Sequence, residues 1–167
     1  MTPFRISRFL LLTIAVVIAG TATQVVSAQP ANPMAGTFDE SLSIGGRDRT
    51  YRVHVPDLDA PAAGFPVLIV LHGGGGNGTF VERSTGFTQL ADQKGFIAVY
   101  PDGTGRFGNK LTWNAHNCCA YAHEQDVDDV GFISAMIDRV IADYDVDPAR
   151  IYITGHSNGA MMTFRIA

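Results

Sequence analysis

The pentapeptide Gly155-His156-Ser157-Asn158-Gly159 sets one hydroxyl between two glycines at the spacing a nucleophile elbow needs. On a tight turn between strand and helix, such a serine is strained and its neighbours come very close, so small residues must flank it. The helix that follows would aim its first N–H groups at a developing negative charge. A second cluster, His72-Gly73-Gly74-Gly75-Gly76-Asn77, is too rich in glycine for a strand or helix. Its amides can turn toward a ligand, and one from Gly74 or Gly75 would join the Asn158 N–H to form an oxyanion hole. Rival readings are a structural turn with a capping serine and a glycine loop with no ligand. A phosphate loop would need a lysine after its glycines, and Asn77-Gly78-Thr79 has none.

A serine hydroxyl needs a histidine to take its proton and a carboxylate to orient that histidine. Ten residues follow Ser157, and none is His, Asp or Glu. Upstream stand His54, His72, His116, His123 and His156. His72 belongs to the glycine loop and His156 adjoins the serine, while His116 and His123 lie in a loop that could reach the site in principle. The simplest expectation is that the acid and the histidine lie beyond Ala167, so that the chain is the N-terminal part of an enzyme.

The surrounding elements give the serine its setting. Residues 49–55 alternate and predict a strand ended by Pro56. Residues 67–71, five apolar residues without alternation, predict a strand buried on both faces. Phe87, Leu90, Ala91 and Lys94 mark a short helix ending near Gly95. Residues 96–100 and 151–154 predict two further strands. Between them Val130, Ile133, Ile137, Val140, Ile141 and Tyr144 share one helical face. Asp126, Asp128 and Asp129 stand at that helix's start, where carboxylates suit the dipole and the cap. Met161 and Met162 are expected to pack the helix after the serine onto the sheet. Strand and helix alternating at this rhythm mean an α/β sheet flanked by helices.

Arg5 and Arg8, an apolar run of 11 residues over 9–19, and Val26-Ser27-Ala28 read as a signal peptide over residues 1–28. That run is shorter than the roughly 20 residues of a membrane span, so no stable insertion is expected after cleavage. Residues 29–45 read as a linker and 46–167 as the N-terminal part of a catalytic domain. Removing the signal leaves 10 basic against 16 acidic residues, a formal charge of -6 without a basic cluster. That balance argues against a nucleic-acid partner. Export, to the extracellular space or the periplasm, would be oxidising and would let Cys118 and Cys119 form disulfides. Adjacent cysteines bridge each other poorly, so separate partners beyond Ala167 are expected. Together with His116 and His123 they match no usual zinc spacing, and no metal site is expected.

His72 to Asn77, Pro101-Asp102-Gly103, Trp113-Asn114, Cys118-Cys119, the run from Val127 to Ile133 and the run from Tyr152 to Met162 occur in order. Together they resemble the secreted polyhydroxybutyrate depolymerase and feruloyl esterase family of α/β-hydrolases. The resemblance implies an α/β-hydrolase sheet that stops here after the nucleophile elbow. It also implies a carboxylic ester hydrolase without cofactor, with Ser157 as nucleophile and an oxyanion loop at residues 72–77. Ester substrates, polymeric ones such as polyesters or plant cell-wall xylan included, are the implied partners. His72, Trp113 and His156 are candidates for the substrate pocket. A binding module without chemistry, or a serine peptidase or acyltransferase on the same fold, stays open on the residues alone.

Overall fold

In the computed structural model, residues 34–167 are described. The signal reading over 1–28 and the first part of the linker lie outside them. The elements run β1 (Gly36–Ile44), β2 (Arg47–Val55), β3 (Phe65–Leu71), α1 (Gly78–Thr85), α2 (Phe87–Lys94), β4 (Ile97–Pro101), α3 (Ala120–Glu124), α4 (Asp129–Asp143), β5 (Val146–Gly155) and α5 (Asn158–Ile166). They form one five-stranded sheet in the order β1-β2-β4-β3-β5. β4, β3 and β5 are mutually parallel, while β2 runs antiparallel to β4 and β1 antiparallel to β2.

β3 lies at the heart of this arrangement because it is apolar on both faces. Val67, Ile69 and Leu71 pack with Ile97, Val99, Phe132, Ile133, Met136 and Met162 on the side of α4 and α5. Val70, with Leu68 beside it, faces Val81, Ala91, Ala98 and Tyr100 on the side of α1 and α2. A run without alternation is what a strand needs when helices cover both sides.

Four features differ from the sequence reading. Residues 36–44, assigned to the linker, are strand β1. Its alternate residues Phe38, Leu42 and Ile44 pack on the core. The turn into β2 is Gly45-Gly46 with φ of 58° and 70°, the mirror-image turn that closes two-residue hairpins and favours glycine. Helix α1 is additional, and the Asn77 side chain caps it by accepting from the Phe80 N–H at 2.8 Å. Asp128 caps α4 as expected, accepting from the Gly131 N–H at 2.8 Å. Asp129 does not: it is fully buried and paired with Arg49 at 2.7 Å. On α5, Met162 is buried, but Met161 faces outward at 39 % exposure. Met162 and Ile166, four residues apart, form the inward stripe, which turns Met161 away from the sheet.

The doubly covered β3 sets an expectation for stability. Ile69→Ala should cost about 2–5 kcal/mol through lost burial and a residual cavity, whereas Phe107→Ala, at a side chain 67 % exposed, should stay within about 0.5 kcal/mol. Urea unfolding of the two variants measures the difference, and equal losses would contradict a core centred on β3.

Candidate active site

Ser157 sits where β5 gives way to α5, with φ 53° and ψ -118°. A side-chain-bearing residue held at that φ costs about 1–3 kcal/mol and persists only when its surroundings enforce it. The enforcement is visible on both sides. A Cβ on Gly155 would come within 2.5 Å of the Gly159 backbone, and one on Gly159 within 2.5 Å of the carbonyls of Leu71 and His72. The two glycines are therefore required by close approach. The elbow packs directly on the end of β3, and the His156 N–H donates to Leu71 O at 3.2 Å.

The serine side chain is exposed and caps nothing on α5, which removes the reading of Ser157 as a capping residue. It borders a cavity of about 270 Å³ lined by Gly73, Gly74, Gly75, Gly76, Phe80, His156 and Ser157. The glycine loop thus lies against the serine, as the sequence implied, and His156 faces the same space. Phe80 is a further lining residue, 63 % exposed and set at the start of α1 by the Asn77 cap. The sequence signal for it was the Asn77 cap itself, three residues before an aromatic.

The amides of the loop are not equivalent. Gly75 N–H donates to Leu111 O at 2.8 Å and Gly76 N–H to Gly73 O at 3.0 Å. Gly75 is therefore set aside as an oxyanion donor. The amides of Gly74 and Asn158 have no hydrogen-bond acceptor among the described residues, and a Cβ on Gly74 would lie 3.6 Å from that of Asn158. The Asn158 side chain is buried and makes a reciprocal pair with the backbone of Trp113. Its Oδ1 accepts from Trp113 N at 2.7 Å and its Nδ2 donates to Trp113 O at 3.0 Å.

His72 and Trp113 do not line the cavity; both are fully buried. Trp113 Nε1 donates to His72 O at 2.9 Å, and the two rings lie 4.8 Å apart. His72 Nε2 accepts from the Gly103 N–H at 2.9 Å, and Nδ1 faces Gly73 O at 2.8 Å. A backbone amide can only donate and a carbonyl only accept, so these partners fix a neutral ring with its proton on Nδ1. Both residues brace the glycine loop from beneath, where the sequence reading had placed them in the substrate pocket.

The other histidines stand apart from Ser157. His54 lies between Thr37 Oγ1 at 2.9 Å and Asp92 Oδ1 at 2.8 Å, a hydroxyl–imidazole–carboxylate row that ties β1 and β2 to α2. His123 Nδ1 approaches Asn114 Oδ1 at 3.4 Å, and His116 borders a separate depression with Met161 and Phe164. Ser157 Oγ makes no hydrogen bond among the described residues, so neither base nor acid is assembled by them. The peptide between Cys118 and Cys119 is cis, which sets their side chains next to one another. Among the described residues no cluster of ligating side chains could hold a metal, and no helix is long and apolar enough to cross a membrane.

Strand, strained serine and helix, faced by a glycine loop from the neighbouring parallel strand, are the arrangement of an α/β-hydrolase fold. The Esterase PHB depolymerase family model matches residues 50–167, and the chain belongs to that family. It is 30 % identical over 133 residues to feruloyl esterase B of Neurospora crassa, covering 80 % of this chain and 44 % of that protein. It is 35 % identical over 98 residues to an acetylxylan esterase of Coprinopsis cinerea, covering 58 % and 25 %. Among solved structures, an acetyl xylan esterase from Aspergillus awamori superposes with a TM-score of 0.62 at 20 % identity, covering 80 % of this chain and 47 % of the other. That likeness concerns the fold. The chain spans less than half the length of each of these relatives.

The burial of His72 has a consequence for pH. Desolvation lowers its pKa below 6.5, against the opposing pull of its bond to Gly73 and of Asp102 and Asp129. The unfolded chain therefore takes the proton first, so stability from this group is complete above about pH 6.5 and is lost as pH falls toward the depressed folded value. Ring nitrogen shifts should show His72 still neutral at pH 6 in the folded protein. An imidazolium there would contradict the assigned hydrogen bonds.

Proposed function

We propose that the full-length protein is an exported serine esterase that cleaves carboxylic esters through an acyl-enzyme on Ser157. The observation that carries this reading is the pairing of a strained, exposed serine with the unoccupied amides of Gly74 and Asn158. Ser157 Oγ attacks the ester carbonyl carbon, and the carbonyl oxygen takes up negative charge facing those two N–H groups. The tetrahedral intermediate collapses, the alcohol leaves with a proton, and water then attacks the acyl-serine to release the acid. The histidine that accepts and returns the proton, and the acid that orients it, are contributed by sequence outside these residues. No cofactor enters the scheme.

Feruloyl and acetylxylan esterases among the relatives support ester substrates of plant cell-wall polysaccharide, and the family description supports polyesters of hydroxy acids. In each of these the ester belongs to a large substrate, which suits an open cavity on the surface. The exposed Phe80 gives that cavity an apolar rim on which an acyl group can lie.

In the full-length protein, Ser157→Ala should lower turnover of p-nitrophenyl butyrate by about 10⁴-fold or more. Turnover unchanged by that substitution would exclude Ser157 as the nucleophile.

A further inference from the structure

Beneath the site lies a closed circuit of hydrogen bonds that passes through five separate stretches of chain. Arg49 on β2 donates from one nitrogen to Asp129 Oδ1 at 2.7 Å and to Asp102 O at 3.1 Å. Its guanidinium carbon stands 4.0 Å above the Phe132 ring centroid. The other oxygen of Asp129 accepts from Asn114 N at 2.7 Å. The next residue back, Trp113, holds the Asn158 side chain through its backbone and the His72 carbonyl through its indole N–H. The His72 ring then accepts from Gly103 N at 2.9 Å, and Gly103 follows Asp102, which returns the circuit to Arg49. Arg49 and Asp129 are 3 % and 0 % exposed, making theirs the most buried ion pair among the described residues.

A buried ion pair is a poor source of net stability, because desolvating two charges offsets most of their attraction. What it does supply is geometry. Each carboxylate oxygen of Asp129 fixes one element: Oδ1 fixes β2 through Arg49, and Oδ2 fixes the 113–114 segment through the Asn114 amide. That segment is the shared anchor of both sides of the site. One side is Asn158, whose own N–H has no acceptor among the described residues; the other is His72, which starts the loop carrying Gly74.

We propose that the Arg49–Asp129 pair is a positioning device for the oxyanion hole, setting the spacing between the Gly74 and Asn158 amides through Asn114 and Trp113. Neither residue reaches the cavity, so neither contacts substrate. The inference rests on the esterase reading. It adds that a carboxylate buried beneath the site, out of reach of substrate, governs the transition state without governing substrate binding.

The test is steady-state kinetics on the full-length enzyme with p-nitrophenyl butyrate, each variant assayed well below its own melting temperature. In Asp129→Asn the side-chain NH2 must face a donor, either Arg49 or the Asn114 N–H, so one link of the circuit breaks while the shape is kept. Displacing oxyanion donors by a fraction of an ångström to an ångström should lower kcat by about 10–100-fold, and KM should change by less than about threefold because the lost interaction exists only in the transition state. Arg49→Lys keeps a cation beside the carboxylate but loses the planar fork, and should lower kcat by a smaller factor with KM again unchanged. Asp128→Asn, which alters only the exposed cap of α4, is the control and should leave kcat at the wild-type value.

Variants that melt earlier yet retain wild-type kcat when folded would reduce the pair to a structural role and overturn the proposal. A loss confined to KM would overturn it as well. If the wild-type enzyme shows no turnover that Ser157→Ala abolishes, the esterase reading fails and this inference falls with it. Turnover dependent on Ser157 but indifferent to both pair variants would sink the inference alone.

Discussion

The constraint on which the rest of the structure depends is the contact between the first turn of α5 and the end of β3. Gly159 lies so close to the carbonyls of Leu71 and His72 that no Cβ fits between them. This contact fixes the position of the elbow relative to the strand before the glycine loop, and with it the relation of Ser157 to Gly74. The parallel pairing of β3 with β5, in register from Val67↔Ile151 to Leu71↔Gly155, brings the two ends together. The loop and the helix N-terminus then emerge at the same edge of the sheet, where open α/β sheets place their ligands. Strain at Ser157 is maintained because the strand, the close glycine and the Asn158 clamp all oppose its relief.

The side chains around this contact divide the work between exposure and support. Ser157 and His156 face the cavity, while Asn158, Trp113 and His72 are buried immediately behind. Each polar side chain of that inner layer is matched to a backbone group: the Asn158 carboxamide to Trp113, the Trp113 indole to His72, the His72 ring to Gly103. Polar groups in such surroundings are strongly held when paired and costly when unpaired, so the layer resists distortion as a unit. A neutral His72 is part of that order, since a second ring proton would point at an amide N–H.

Much of this was legible in the sequence where one local pattern carried one meaning. The run at 67–71 suited a strand buried on both faces, and the pentapeptide at 155–159 stood after a strand and before a helix. The apolar face of α4 was equally plain. What escaped depended on partners far away in the chain. Asp128 and Asp129 look alike beside a helix start, but Arg49, 80 residues earlier, draws Asp129 into the core. Gly74 and Gly75 look alike too, until Leu111 accepts the Gly75 amide. His72 and Trp113 read as pocket residues because chemistry-bearing types near a site suggest contact with a ligand. Their burial follows from the loops that fold over them. Strand β1 was hidden by modest polarity, although the Gly45-Gly46 turn between alternating runs was its signal.

The most direct measurement on the central claim, that Ser157 is an activated nucleophile, is covalent labelling of the native full-length protein with a fluorophosphonate, followed by peptide mass spectrometry. Such reagents react with serines that a neighbouring base has activated and spare ordinary hydroxyls. A single adduct, carried by the peptide that contains Ser157, is the expected result. A folded protein that gains no adduct, or gains it on a peptide lacking Ser157, would contradict the claim.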